Sequence, residues 1–143
     1  MYQRICCPTD GTDRSERAVR HAVDLAAALD ATVYALAVKE PAGSIQRDRL
    51  RTDLEAEAAA AVEGVEDVAA RAGITVQTDV RAGEPADAIL EYAGEYEIEL
   101  LVVGTGERTG IERILDDSVA ATLLERSAIP VLTVPARTTM EDR

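Results

Sequence analysis

The chain has 143 residues, enough for one hydrophobic core and short for two. Its formal net charge of -12, from 27 acidic and 15 basic residues, excludes nucleic acid as a partner, since phosphate backbones are held by clustered Lys and Arg. No apolar run reaches the roughly eighteen residues of a membrane span, and Met1-Tyr2-Gln3-Arg4 does not open a signal peptide, so no membrane association is expected and the cytoplasm is the expected compartment.

In chain order, Arg4-Ile5-Cys6-Cys7-Pro8 reads as a first strand, ended by the turn-forming Thr9-Asp10-Gly11-Thr12. Cys6 and Cys7 point to opposite faces of that strand, so two buried thiols are expected and no disulfide. Asp13-Arg14-Ser15-Glu16 opens a helix whose buried stripe is Ala18, Ala22, Leu25, Ala26 and Leu29. Ala31 to Val38 is a second strand. Gln46 to Ala72 is the longest periodic segment, with Leu50, Leu54, Ala58, Ala61, Val65, Val68 and Ala72 on one side, and Gly73 placed to end it. Ile74, Val76, Thr78 and Val80 alternate with polar residues, as a strand with one wet face does.

Pro85 suits the first turn of a third helix, with Ala86, Ile89, Leu90 and Ala93 inward. Leu100 to Val103 is apolar throughout, as a strand covered on both faces must be. Val119 to Arg126 is a last helix and Pro130 to Val134 a last strand. Residues 1–136 are therefore expected to form a single domain, and 137–143 a loose tail.

Strands and helices alternate throughout, which dictates an α/β fold with right-handed crossovers and an open five-stranded parallel sheet covered by helices on both faces. Ligands in such sheets sit beyond the carboxyl ends of the strands, where strand order reverses. Three segments therefore matter: Thr9 to Thr12, Val38 to Pro41, and Gly104 onward.

Those segments resemble the universal stress protein family. The carriers are Cys7-Pro8-Thr9-Asp10-Gly11-Thr12, similar to a strand ending in P-x-D-G-S; Gly83-Glu84-Pro85, similar to the turn into the third helix; Leu101-Val102-Val103-Gly104; and Ser118-Val119-Ala120 followed by Ile129-Pro130-Val131-Leu132-Thr133-Val134. The resemblance implies a Rossmann-like sheet in the order 3-2-1-4-5 and a cytoplasmic homodimer, together with a site that holds ATP or AMP in one branch and nothing in another. It places Pro8, Thr9, Asp10 and the backbone of Val38 at the adenine and ribose end. Gly104, Ser118 and the backbone of Val119 would face the phosphates, where Arg108 and Arg113 offer cationic contacts. A divalent ion such as Mg2+ would bridge the acidic loop to phosphate. Val131 to Val134 would pair in the dimer.

The nucleotide-binding branch has the pattern G-x2-G-x9-G-[ST]. Here Gly104 and Ser118 stand in place, but Glu107 and Asp117 occupy the second and third glycine positions, and Gly106 lies one residue early. Glycine is used where backbone must approach phosphate closely. A carboxylate there fills that room and adds charge worth on the order of 4 kcal/mol per contact at about 4 Å and an effective dielectric near 20, before screening. Asp117 also precedes the last helix, where its carboxylate would meet the same N–H groups that a phosphate would. Two classes of function remain: an adenine-nucleotide sensor with at most slow ATPase activity, and a nucleotide-free interaction protein on the same fold.

Other constellations fall away. His21 is the only histidine, with no nucleophile or second ligand beside it, and no G-x-S-x-G occurs, so neither catalytic residues nor a metal site are expected. A receiver phosphorylated on aspartate would need a lysine after a late strand, whereas the only lysine is Lys39. The acids of residues 48–67 alternate with the apolar stripe as a solvated face does.

With Lys39 alone, 14 of the 15 basic residues are arginine, and Phe and Trp are absent. This resembles proteins of salt-accumulating organisms, in which acid-rich surfaces maintain solubility. Self-repulsion at a charge of -12 should weaken as the Debye length shortens from about 10 Å at 0.1 M to about 3 Å at 1 M salt. The melting temperature is expected to rise with potassium chloride over that range; a flat or falling curve would remove the halophilic reading.

Overall fold

The computed structural model describes residues 2–11, 13–39, 51–106 and 117–136, with the side chains of 13, 14, 51–55 and 117 left aside. Strand and helix alternate as β1 (Arg4–Pro8), α1 (Asp13–Leu29), β2 (Thr32–Lys39), α2 (Arg51–Ala72), β3 (Val76–Ala82), α3 (Pro85–Glu95), β4 (Leu100–Thr105), α4 (Asp117–Arg126) and β5 (Val131–Pro135). The strands form one parallel sheet in the order β3-β2-β1-β4-β5. Strand order reverses between β1 and β4, where Ile5 pairs with Leu100 and Cys6 with Leu101. The expected fold class and strand order are both observed.

The period-2 geometry of β1 splits its neighbours between two cores. Ile5 and Cys7 pack with Ala18, Ala22 and Ala26 of α1 and with Val65 of α2, whereas Cys6 packs with Ile89 and Tyr92 of α3 and Leu123 of α4. Helices α1 and α2 thus cover one face and α3 and α4 the other. Gly73 takes φ 71° just past α2, the left-handed turn that glycine adopts without steric cost. At α3, the Glu84 side chain accepts the Asp87 N–H at 3.0 Å and Pro85 occupies the first turn, so the Gly-Glu-Pro signal forms a capped helix start.

The buried stripes differ from the expected ones chiefly at helix ends. Leu29 is 39% exposed and Ala72 is exposed, each being the last residue of its helix, where the chain turns away. Val19, Val23, Val62 and Ala69 are buried instead, which shifts both stripes around their axes. On α3, Leu90 is half-buried and Tyr92 is at 1% exposure. Asp79, expected on a wet face, is half-buried and accepts a hydrogen bond from Arg81. Element ends move by one or two residues, β4 reaching Thr105 and α4 beginning at Asp117. Gln46 to Leu50 and the tail 137–143 lie outside the described residues.

Both cysteines are buried and unbridged. Burial raises the Cys6 thiol well above its ordinary 9.0, the neighbouring Cys7 adding to it, and burial pushes Cys7 up to about 12. A raised folded pKa contributes stability that is complete below the unfolded value and is lost as pH rises through the folded one. The melting temperature should therefore fall progressively from about pH 9 towards 12. Native protein at pH 8 should leave both thiols unmodified by a disulfide reagent that titrates both in guanidinium; native-state modification would contradict the burial.

Candidate functional site

The carboxyl ends of β1 and β4 lie at the strand-order reversal, and the first turn of α4 stands over them. Pro8 ends β1, Gly104 lies near the end of β4, and Val119 and Ala120 come from α4. These four residues, with Ser15, Ile89, Val103 and Leu123, line one small hollow of about 10 Å³. Ile89, Val103 and Leu123 make its floor apolar. That volume is about the space of a single water, so a nucleotide would lie over this floor rather than inside it.

Asp10 is fixed at the rim by a reciprocal pair. The Ser15 hydroxyl donates to Asp10 Oδ1 at 2.8 Å, and the Asp10 backbone N–H donates to Ser15 Oγ at 3.2 Å. Gly11 then turns the chain into α1 with φ 82°, and a Cβ built there would stand 3.8 Å from Ala61 Cβ. The turn is held to the sheet by the Thr9 N–H, which donates to the Leu36 carbonyl at 2.9 Å. Ser118 is exposed, and its carbonyl accepts from the Thr122 hydroxyl at 2.9 Å.

The expected site residues are only partly brought together. Pro8, Gly104 and Val119 share the hollow. Thr9, whose side chain must point opposite to that of Pro8, lines a different cavity of about 210 Å³ between α1 and α2, with Gly11, Glu16, Ala61, Gly64 and Val65. The Val38 side chain is buried in the core beneath α3 and α4, leaving its backbone as the part available to a ligand. Arg108, Glu107 and Arg113 lie outside the described residues, as does the side chain of Asp117. Gly106 takes φ 86° immediately after β4, so it has a turn of its own to make.

Sequence reasoning missed Ser15 as a site residue, although its place five residues after Asp10 and in the first turn of α1 carried the signal. Ile89 was legible only as core. Among the described residues no group of three His, Cys, Asp or Glu side chains is arranged to hold a metal ion, and no helix is long and apolar enough to cross a membrane. His21 is exposed, and the described acids of α2, Glu57, Glu63, Glu66 and Asp67, are all exposed.

Comparison with known proteins gives a consistent answer. The family model described as "Universal stress protein family" matches residues 1–135. A universal stress protein of Methanocaldococcus jannaschii is 34% identical over 140 residues, covering 94% of this chain and 82% of the relative. A universal stress protein solved in complex with cAMP is 32% identical, with a TM-score of 0.73 and coverage of 95% of this chain and 99% of the other. The universal stress protein UspA of Lactobacillus plantarum is 26% identical, with a TM-score of 0.74 and coverage of 93% and 97%.

Proposed function

The chain belongs to the universal stress protein family, and from that premise we propose that it is a cytoplasmic regulatory or protective homodimer with an adenine-nucleotide site that is intact at its nucleoside end and impaired at its polyphosphate end. The observation that carries this reading is Asp10, tied by Ser15 at the carboxyl end of β1, beside the hollow that Gly104 and Val119 share. A carboxylate accepts hydrogen bonds only, so it suits sugar hydroxyls, and the amino-terminal turn of α4 suits one phosphate. Glu107 and Asp117, at the two glycine positions, oppose each further phosphate by charge and by bulk. The relative solved with cAMP, a ligand with a single phosphate, supports that division.

The expected ligands are therefore AMP-like, with ATP weak or unbound and at most slow ATPase activity. Mg2+ would enter as an ion bridging the acidic loop to a polyphosphate. Calorimetric titration of AMP, cAMP and ATP, each with and without Mg2+, tests the reading. AMP or cAMP should bind at least about tenfold more tightly than metal-free ATP. Equal or tighter metal-free ATP binding would overturn it. Recovery of ATP binding by Mg2+ alone would favour a nucleotide-triphosphate sensor in which the metal offsets the acid. Absence of binding by all three would favour the second reading, a nucleotide-free interaction protein, which the 10 Å³ hollow makes worth testing.

The homodimer is proposed through Val131 to Val134, because β5 is an edge strand whose outer backbone groups a two-fold copy can pair. Val131, Leu132 and Thr133 are half-buried, but Val134 is at 4% exposure in the core and is a poor probe. Val131→Lys with Thr133→Lys should give monomers by sedimentation while Val134 keeps the fold. A wild type already monomeric at high micromolar concentration in high salt would end the idea.

A further inference from the structure

The cavity between α1 and α2 lies on the opposite face of the sheet from the hollow over β1 and β4, since Ile89 and Leu123 line the hollow whereas Val19 and Val65 line the cavity. Its floor is Thr9, Val19, Ala61 and Val65, all buried. Three apolar side chains thus surround one hydroxyl. Thr9 is at 3% exposure and its Oγ1 accepts the Gly11 N–H at 3.4 Å, while among the described residues no group accepts the hydroxyl proton. A hydroxyl has one proton to donate, and a buried donor without an acceptor is unfavourable. An occupant that carries an acceptor would satisfy it.

Gly64 points the same way. It stands in the interior of α2 at the wall of this cavity, where a Cβ would meet nothing within 4 Å. Packing does not require glycine there, and glycine is a poor helix former, so the helix gives up stability at the position that keeps the cavity wide. At about 210 Å³ the cavity exceeds the roughly 150 Å³ that admit benzene and falls short of the roughly 300 Å³ at which drug-sized pockets begin. That is room for one ring or a short chain. None of the described lining residues is cationic, and Glu16 at the rim, 3.5 Å from Arg20, is an exposed acid on a chain of net charge -12, so an anion is disfavoured. The acceptor is therefore neutral.

We propose that this cavity is a second ligand site, which takes a small neutral molecule of one ring or a short chain whose carbonyl oxygen accepts from the Thr9 hydroxyl. It does not depend on the nucleotide reading, because Thr9 and Pro8 turn their side chains to opposite faces of the sheet.

The test titrates acetophenone, and α-methylstyrene as the isostere with CH2 in place of the carbonyl oxygen, into the full-length 15N-labelled protein followed by amide chemical shifts. Acetophenone should shift the amides of Val19, Ala61, Gly64 and Val65. Thr9→Val, which keeps the shape and removes the hydroxyl, should weaken acetophenone by about fivefold without weakening α-methylstyrene, the size of effect one neutral hydrogen bond gives. Thr9→Ser should retain acetophenone binding. Gly64→Leu, a better helix former that occupies the cavity wall, should raise the melting temperature and weaken both probes by about tenfold or more. That variant decides the matter if Thr9→Val does not fold. Absence of shifts up to about 5 mM acetophenone, or shifts at Ile89, Val103 and Leu123 in place of the expected four, would overturn the proposal. Equal losses of both probes in Thr9→Val, or a Gly64→Leu protein that binds as the wild type does, would overturn it as well. Shifts of the same four amides on raising protein concentration alone would make the cavity a face between copies of the chain, and would overturn it too.

Discussion

Replacing Glu107 and Asp117 together by glycine is expected to raise metal-free ATP affinity by about a hundredfold. Even a screened repulsion of about 1.4 kcal/mol per carboxylate costs tenfold in affinity, and two such contacts multiply. The wild type should bind ATP no more tightly than about 100 μM without divalent ions, whereas the double variant should approach the low micromolar range, a total of about 8 kcal/mol. AMP, which carries only the phosphate nearest the sugar, should gain much less. The paired variant Glu107→Gln, Asp117→Asn separates the two causes, since it removes charge and keeps bulk. A gain confined to the glycine variant would mean that room decides the site. Asp117 begins α4, so its loss should also lower helix stability by a few tenths of a kcal/mol where it serves as the cap. Tight binding of metal-free ATP by the wild type, or a glycine variant that binds no better, would show that these acids do not govern the site.

Tyr92→Ala is expected to destabilise the fold by about 3–5 kcal/mol, the usual cost of truncating a buried aromatic residue. In a domain of this size that is a fall of roughly 10–17 °C in melting temperature. Tyr92 is at 1% exposure, and its ring lies 4.6 Å from that of Tyr96, which in turn is 5.9 Å from Tyr34. The Arg81 guanidinium stands 5.0 Å over the Tyr92 ring and bonds Asp79 at 3.0 Å and Glu95 at 2.8 Å. These contacts raise Arg81 above its ordinary pKa, the bond to Glu95 being the largest cause, and burial raises the Tyr92 hydroxyl. Three of the chain's four tyrosines meet in this cluster, which in the absence of Phe and Trp concentrates much of its aromatic surface where α3 packs over β2 and β3. Arg81→Ala should cost only about 1 kcal/mol, because the acids it leaves are partly solvated. Chemical denaturation of both variants checks the ranking; a Tyr92→Ala protein within 1 kcal/mol of wild type would show that the cluster does not anchor α3.

The alternation of period-2 and period-3.6 patterns is a local property, and the sequence carried it in full: five strands, four helices, the Gly73 stop and the Glu84-Pro85 start. It also located Pro8, Asp10 and Gly104 at the strand ends, because they stand beside turn residues. What periodicity cannot state is how far a neighbour extends. Leu29 and Ala72 satisfy their stripes in spacing and yet are exposed, since each ends its helix. Nor does it state which side of a turn belongs to which cavity. Thr9 and Pro8 are adjacent in sequence and line different cavities, because successive side chains at a strand end point to opposite faces. Val134 looked like an edge residue and is core because α1 packs beneath β4 and β5. The bond between Ser15 and Asp10, the apolar floor under Gly104 and the seating of Arg81 on Tyr92 were decided by tertiary structure alone. Each depends on the distance and angle at which separate elements meet, which are set by the packing of the whole sheet rather than by any one segment's pattern.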